Sequence, residues 1–326
     1  MGYEVIRQGL DELRAEWRVL LGGGRAGRLF QHPAWQELWL EEFGEGGEAY
    51  FLTVRDDAAL LGVAPLFKSN DIFSFIGDPD ICDYMDFVLA PGHEEKVLSV
   101  LLYALYEEDW SQIDFRGLKA GSPTLQHLPS LAARLRFRVE VEKEAVCPQL
   151  DLPATWEGYL ALLDKKHRHE LRRKLRRLER VAPGARLVAF RRPAEVAAGM
   201  DDFLRLMRMK SDKARFMTPQ MERFFRRAAE ALAGEGLVAL YALEVEARRV
   251  AAALCFEDAQ ELLVYNSGYD PAFASLAAGL ISKALIVRSA IEKGRAHFDF
   301  LRGAEPYKYD LGGKDVEVYR CLIERP

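Results

Sequence analysis

The sequence predicts a mixed α/β protein built from two similar halves. Strands and amphipathic helices are interspersed along the chain, and the order strand pair, strand, helix, strand occurs twice. Both closing strands also end in Arg-Gly: Ile113-Asp114-Phe115-Arg116-Gly117 in the first half and Phe298-Asp299-Phe300-Leu301-Arg302-Gly303 in the second. Together these features read as a weak internal repeat, with helices packed on largely mixed sheets.

In the first half, Leu10 to Leu21 and Pro33 to Phe43 carry helical periodicity, and Glu48–Arg55 with Ala59–Lys68 form a strand pair. Strands are expected near Ile72–Ile76 and Tyr84–Leu89. A helix from about His93 to Glu108 follows, with Val97, Leu98, Leu101, Leu102 and Leu105 on one stripe. The strand Gln112–Gly117 closes the unit, followed by a helix near Thr124–Leu135 and strands near Phe137–Glu142 and Val146–Leu150. Gly22-Gly23-Gly24 has no Lys-Ser or Lys-Thr after it, so it reads as a loop ending a helix and not as a phosphate cradle. Prolines at 148 and 153 flank a crossover, which sets the expected domains at 1–150 and 151–326.

The second half opens with a basic helix. Thr155 is a candidate N-cap and Pro183-Gly184 a candidate stop, so one long helix is expected between them. Leu160, Leu163, Leu171, Leu175 and Leu178 form its buried stripe. From Lys165 to Arg180 it carries nine Lys and Arg residues, against Asp164, Glu170 and Glu179. That asymmetry suits a solvated face or an anionic ligand, with Arg168 and Arg172 as candidate substrate contacts. A nucleotide phosphate, an RNA acceptor stem and an anionic lipid surface are the candidate anions. Strands at Leu237–Glu244, Arg249–Phe256 and Glu261–Ser267 follow, then a helix from about Leu276 to Lys293.

That helix leads into the densest stretch of the chain, residues 297–313. A short strand gives way to a Gly-rich loop where Arg302, Glu305, Tyr307, Lys308 and Asp310 crowd together. A core strand has no use for such a series, so the loop is expected to receive a polar or anionic group.

At 326 residues and 49% apolar, the chain is long enough to bury two cores, and a net charge of −5 excludes a globally basic nucleic-acid binder. No apolar run approaches the ~18 residues of a membrane span, and the charged start has no signal-peptide core, so no span and a cytoplasmic location are expected. Cys82, Cys147, Cys255 and Cys321 stand isolated among apolar residues, as buried thiols do in a reducing compartment. His167 and His169, two apart on a helix, point in different directions, and no bound metal is expected.

His32-Pro33-Ala34-Trp35, Gly62-Val63-Ala64-Pro65-Leu66, the basic helix from Lys165 to Glu179, and Phe298 to Gly303 with Tyr307-Lys308 occur in an order that resembles the CelD/BcsL-like acyltransferases of the GNAT superfamily. These are similar to the FemAB peptidyltransferases. The resemblance covers nearly the whole chain and implies two tandem GNAT-like domains of α/β (α+β) type. It also implies an acetyl-CoA or other acyl-CoA donor lying where two strands splay apart, with its pyrophosphate at the start of the next helix. Here that turn is Ser275-Leu276-Ala277-Ala278-Gly279, which departs from the usual Arg or Gln followed by two spaced glycines.

The resemblance places Lys308 in a loop where a lysine stabilises charge on the transferring group, and Asp83, then Asp86, where a functional carboxylate stands in the first domain. Tyr265 and Tyr307 are candidate general acids for a leaving thiolate. Arg302 and Glu305 are candidate substrate contacts, Arg302 being equally a structural partner for Asp299 or Glu305. The expected activity is acyl transfer to an amine or a sugar-linked acceptor, a small molecule, saccharide or peptide, bound between the two domains. The alternatives are an aminoacyl-tRNA-dependent transferase, the one reading that brings in nucleic acid, and a noncatalytic saccharide- or anion-binding protein.

Overall fold

The computed structural model describes residues 2–22 and 26–325. Of the triple glycine, Gly23 and Gly24 lie outside the described residues. Gly22, with φ 83°, follows the first helix. The chain forms two units, one from residues up to 146 together with those from 316 onward, the other from 147–315 with a short piece at Gly27.

The first unit runs β1 (Glu4–Arg7), α1 (Leu10–Leu20), α2 (Pro33–Phe43), β2 (Glu48–Asp56), β3 (Ala59–Ser69), β4 (Ile72–Phe75), β5 (Val88–Leu89), α3 (Glu94–Tyr106), β6 (Gln112–Lys119), α4 (Pro123–Arg134) and the start of β7 (Arg138–Asp151). Prolines at the first helical position set the starts of α2 and α4, and Ser122 caps α4 by accepting from Thr124 N–H at 3.1 Å. The stripe predicted for α3 is buried as one face. The segment 84–89 gives a strand of only two residues, and the two strands expected over 137–150 are one continuous strand, β7.

The second unit continues from β7 through α5 (Trp156–Leu162), α6 (Lys165–Val181), β8 (Arg186–Phe190), α7 (Pro193–Arg208), α8 (Ser211–Phe216), α9 (Pro219–Gly234), β9 (Val238–Val245), β10 (Arg248–Glu257), β11 (Glu261–Tyr269), α10 (Ala278–Glu292), β12 (His297–Asp299) and α11 (Pro306–Asp310). The single long helix expected between 155 and 183 is two helices. Leu163 is extended, at φ −68° and ψ 144°, and Asp164 caps α6 by accepting from His167 N–H at 2.9 Å. A local cap outweighs leucine periodicity here.

The last strand, β13 (Lys314–Glu324), was not expected; from residue 316 it returns the chain to the first unit, whereas the second domain was expected to run on to 326. Its register against β6 is antiparallel, with Leu322 opposite Asp114, and Arg320 clamps Asp114 through two guanidinium nitrogens at 2.6 and 3.0 Å. Strand order is β1-β2-β3-β4-β6-β13-β7 in the first unit and β7-β12-β11-β10-β9-β8 in the second.

Helices cover both faces of the second sheet. Ala239, Tyr241, Ala253 and Cys255 pack under α10 with α5 and Leu171 of α6. The alternate residues face the other way: a Cβ on Gly199 of α7 would touch Leu240. Burial on both faces explains why Ala251 to Phe256 is continuously apolar.

Candidate active site

β11 and β12 pair in parallel over three residues only, Glu261 with His297, Leu262 with Phe298 and Leu263 with Asp299. Beyond Leu263, β11 runs on to Tyr269 while the chain after Asp299 follows β7, Phe300 N–H donating to Pro148 C=O at 2.9 Å. The two strands therefore part. Asp299 starts the departure by accepting from Leu301 N–H at 2.7 Å and from Gln149 at 2.5 Å. Leu301 then takes φ 57° and Gly303 φ 112°. Gly303 is favoured by that φ, and a Cβ there would also sit 2.5 Å from Glu305 Oε2 and displace the carboxylate that Lys308 holds.

The first unit repeats this geometry. β4 pairs in parallel with β6 over three residues, the third being Ser74 opposite Asp114. On its other edge β11 stays paired with β10, except that the register jumps from Leu254–Asn266 to Cys255–Val264, making Tyr265 a bulge residue. The Tyr265 ring packs on Phe225 and Phe256, with centroids 5.3 and 4.9 Å away.

α10 begins at Ala278, two residues later than expected. Ser275 and Leu276 instead end a 3-10 turn, Pro271–Leu276, and Ala277 is left-handed at φ 54°. No side chain caps the helix, and Leu280 N–H and Ile281 N–H turn back to Ala277 C=O at 3.0 and 2.9 Å, which leaves the N–H groups of Ala278 and Gly279 without a side-chain cap. Gly279 lies under Tyr269, whose ring a Cβ would approach to 2.8 Å.

Tyr307 and Lys308, expected in a loop, lie on α11. Lys308 is 2% exposed. Its Nζ donates to the carbonyls of Leu301 at 2.9 Å, Arg302 at 2.7 Å and Gly303 at 3.0 Å, and lies 3.0 Å from Glu305 Oε2. In this geometry it clamps the departing loop and has no donor left over for a ligand. Burial raises the Glu305 carboxyl and the Lys308 charge more than offsets it, holding Glu305 below the ordinary carboxylate range. Arg302 takes part through its carbonyl. Burial raises the Tyr307 hydroxyl, so it stays protonated at neutral pH.

Two further lysines gather in the same unit. Lys283, on the inner side of α10, is 4% exposed, donates to Gly279 C=O at 3.0 Å and sits 5.2 Å from the Tyr307 ring centroid. Lys213 of α8 donates to Ser267 C=O at 2.6 Å and Asn266 Oδ1 at 3.1 Å. Neither was anticipated. Lys283 did leave a signal, being the one charged residue between Asp270 and Arg288.

Asp83 and Asp86 belong to the first unit. Asp86 accepts from Ser122 and Thr124 hydroxyls, both at 2.5 Å, and from Phe87 N–H at 2.8 Å. It anchors the start of α4, and burial raises its carboxyl despite those bonds. Arg168 is half-buried, 3.4 Å from Ala161 C=O, and Arg172 is exposed. Glu170 pairs with Arg173 at 2.7 Å and with Lys174, leaving Arg172, Arg176 and Arg180 without a carboxylate among the described residues. His167 bridges Asp164 at 2.5 Å and Asp310 at 3.2 Å. No group of three or more metal-ligating side chains occurs among the described residues, and no helix there is long and apolar enough to cross a membrane.

Residues 165–309 match the family model described as an acetyltransferase (GNAT) domain. The fold is that of tandem GNAT proteins. FemX superposes with a TM-score of 0.67 at 14% identity over 97% of this chain and 96% of its own. A conserved protein of unknown function from Bacteroides thetaiotaomicron gives 0.63 at 13% identity, over 99% and 100%. A tandem GNAT protein from the clavulanic acid biosynthesis pathway gives 0.51 at 12%, over 100% and 99%. No curated protein matches the sequence. The GNAT match begins at the first residue of α6 and spans the parted strands, α10 and Lys308.

Proposed function

We propose that this GNAT-fold chain is an acyl-CoA-dependent acyltransferase, moving an acyl group to an amine or a sugar-linked acceptor. The observation that carries this reading is the parting of β11 and β12 after Leu263, followed along the chain by the uncapped start of α10. A thioester arm would lie against the open edge of β11, and the donor's phosphates would meet the N–H groups at Ala278 and Gly279 with Ser275, Leu276 and Ala277 forming the turn. Ala277 supplies, at φ 54°, the left-handed turn that a glycine would adopt more readily. Lys308 would act chiefly by holding the 301–305 loop in shape, Arg302 and Glu305 would face the acceptor, and Tyr265 or Tyr307 would protonate the departing thiolate. Asp83 is the proposed base, in preference to Asp86, whose oxygens are engaged in anchoring α4. The thiol needs little help in leaving, so loss of either tyrosine hydroxyl should matter less than loss of the loop.

The test is mass spectrometry of ligand released from the purified protein, followed by thiol release from acetyl-CoA with a panel of amines and aminosugars. Bound coenzyme A and acceptor-dependent release are expected. No coenzyme A and no release with any acyl-CoA would overturn the reading.

One observation favours a second donor. The face of α6 carrying Arg172, Arg176 and Arg180 has no carboxylate partner among the described residues and suits a phosphate backbone, as an aminoacyl-tRNA donor would supply. In that case binding would weaken steeply with salt, several-fold or more per doubling of ionic strength.

A further inference from the structure

Met207 and Met217, both buried, bracket a stretch from Met209 to Phe216 in which no side chain is buried. Its helix, α8, has six residues, and a helix so short with no apolar face against the core has little to hold it in place. Among the described residues, Lys213 is the one side chain of this stretch that hydrogen-bonds to another element. Its Nζ donates to Ser267 C=O at 2.6 Å and to Asn266 Oδ1 at 3.1 Å. The half-exposed Phe216 adds a ring contact with Phe225, centroids 6.2 Å apart, while Lys210 and Asp212 pair only with each other, at 2.9 Å.

What Lys213 holds is the free edge of β11. Asp270 N–H donates to Val250 C=O at 2.8 Å, and the bonds of an antiparallel ladder recur at every second residue. Gly268, opposite Ala252, therefore turns its backbone groups to β10, and Ser267, opposite Ala253, turns its N–H and C=O to the other edge. That is the edge β12 leaves after Leu263. A strand edge with an unpaired carbonyl is a template for any extended group that carries an N–H. Here an ammonium of the same unit has taken the carbonyl, in a charge-assisted bond. Lifting α8 would break two hydrogen bonds and one ring contact and would uncover no core side chain of its own.

We propose that α8 is a strap latched on the open edge of β11 by Lys213, and that a ligand extended along that edge must displace the ammonium to reach Ser267 C=O. This second step rests on the acyl-CoA reading, in which the ligand is the amide-bearing arm of the donor. The unloaded chain is then self-blocked, and loading opens the strap.

The test is limited trypsin digestion of the full chain, with the rate of cleavage after Arg215 followed by mass spectrometry for wild type, Lys213→Met and Lys210→Met. Each is digested without ligand and with coenzyme A, whose affinity is measured by calorimetry. Without ligand, Lys213→Met should be cut about tenfold faster than wild type, the scale of one charge-assisted hydrogen bond. Lys210→Met removes a charge from the same stretch but no bond to β11, and should be cut at the wild-type rate. Coenzyme A should speed the cleavage of wild type, and Lys213→Met should bind it roughly three- to tenfold more tightly, because no latch has to be released. Equal cleavage, or equal affinity for coenzyme A, in wild type and Lys213→Met would overturn the proposal. So would weaker binding by Lys213→Met with cleavage of wild type slowed by the ligand, since Lys213 would then be a ligand contact. If coenzyme A binds to neither protein, the acyl-CoA reading falls, and the latch stands or falls on the cleavage difference alone.

Discussion

Lys308 Nζ lies 3.0 Å from Glu305 Oε2, and the same ammonium collects the carbonyls of Leu301, Arg302 and Gly303. One buried side chain therefore sets the course of the chain where it leaves β12. Lys308→Met would strand three carbonyls and release a carboxylate, at roughly 1–3 kcal/mol for each group that water does not reach. The melting temperature should fall by at least several degrees, and acyl transfer by about two to three orders of magnitude if the loop shapes the reacting site. Thermal denaturation and thiol release measured on the same preparation separate the two effects. An unaltered melting temperature would remove the clamp from the account.

Lys283 makes stability depend on pH in the alkaline range. Burial first, and then the Lys213 charge, push its ammonium down to about 7. A free lysine titrates near 10.4, so between about pH 7 and 10 the unfolded chain binds more protons than the folded one, and stability rises with pH across that window. Below pH 7 the penalty of a buried charge is present in full. Lys283→Met should accordingly be more stable than wild type at pH 6–7, with the difference shrinking toward pH 10. Denaturant midpoints at four or five pH values measure it, and a constant difference between the two proteins would contradict the assignment.

Asp114 and Asp299 show what could be read from sequence and what could not. Each is the third residue of a three-residue parallel pairing, opposite Ser74 and Leu263. The internal repeat was legible because each half writes its own period-2 strands and one-sided helix. Their partners were not: Asp114 is clamped by Arg320 and Asp299 by Gln149, both distant in sequence. β13 and the segment 184–236 likewise went unread, although Thr218-Pro219 and Arg192-Pro193 are recognisable helix starts once sought. Asp164 was counted as a charge when its work is to end one helix and cap the next. The expected start of α10, near Leu276, lies within two residues of its start at Ala278. Lys213 was hidden because α8 is six residues long with no buried side chain, which leaves no apolar pattern to read.

Gly268 and Gly279 are expected to respond differently to the same change. A Cβ at Gly268 would lie 2.4 Å from backbone atoms of Leu206 and Met207, so Gly268→Ala must push α7 off β11. Overpacking of this kind costs about 1–3 kcal/mol or more, and the denaturant midpoint should drop accordingly. At Gly279 the nearest atoms to a Cβ belong to the Tyr269 ring, which is 41% exposed and can swing aside, while alanine suits a helix better than glycine. Gly279→Ala should therefore fold normally, and under the proposed acyl-CoA reading it should raise the KM for acyl-CoA, because the methyl group would stand where the donor's phosphates meet the helix start. A loss of stability with an unchanged KM would mean that the residue serves packing alone.

The carboxylate of Glu257 is 4% exposed and held by Arg191 Nε at 2.5 Å, Tyr241 OH at 2.9 Å and Lys293 Nζ at 3.6 Å. Arg191 joins the end of β8 to β10, so the network fixes the edge strand against its neighbours. Removing one partner from a buried pair leaves a charge uncompensated, which costs more than the pair itself contributes. Arg191 is half-exposed and Lys293 stands near the same carboxylate, so Arg191→Ala should destabilise the chain by about 1–3 kcal/mol, the scale for leaving one buried charged group short of a partner. Tyr241→Phe removes one neutral donor and should cost about 1–3 kcal/mol. Combining Arg191→Met with Glu257→Leu removes both charges and should recover much of the loss, because no buried ion then remains. Chemical denaturation of the three variants tests the ordering. A double variant no more stable than Arg191→Ala would show that the pair's role lies in shape and hydrogen bonding and not in charge balance.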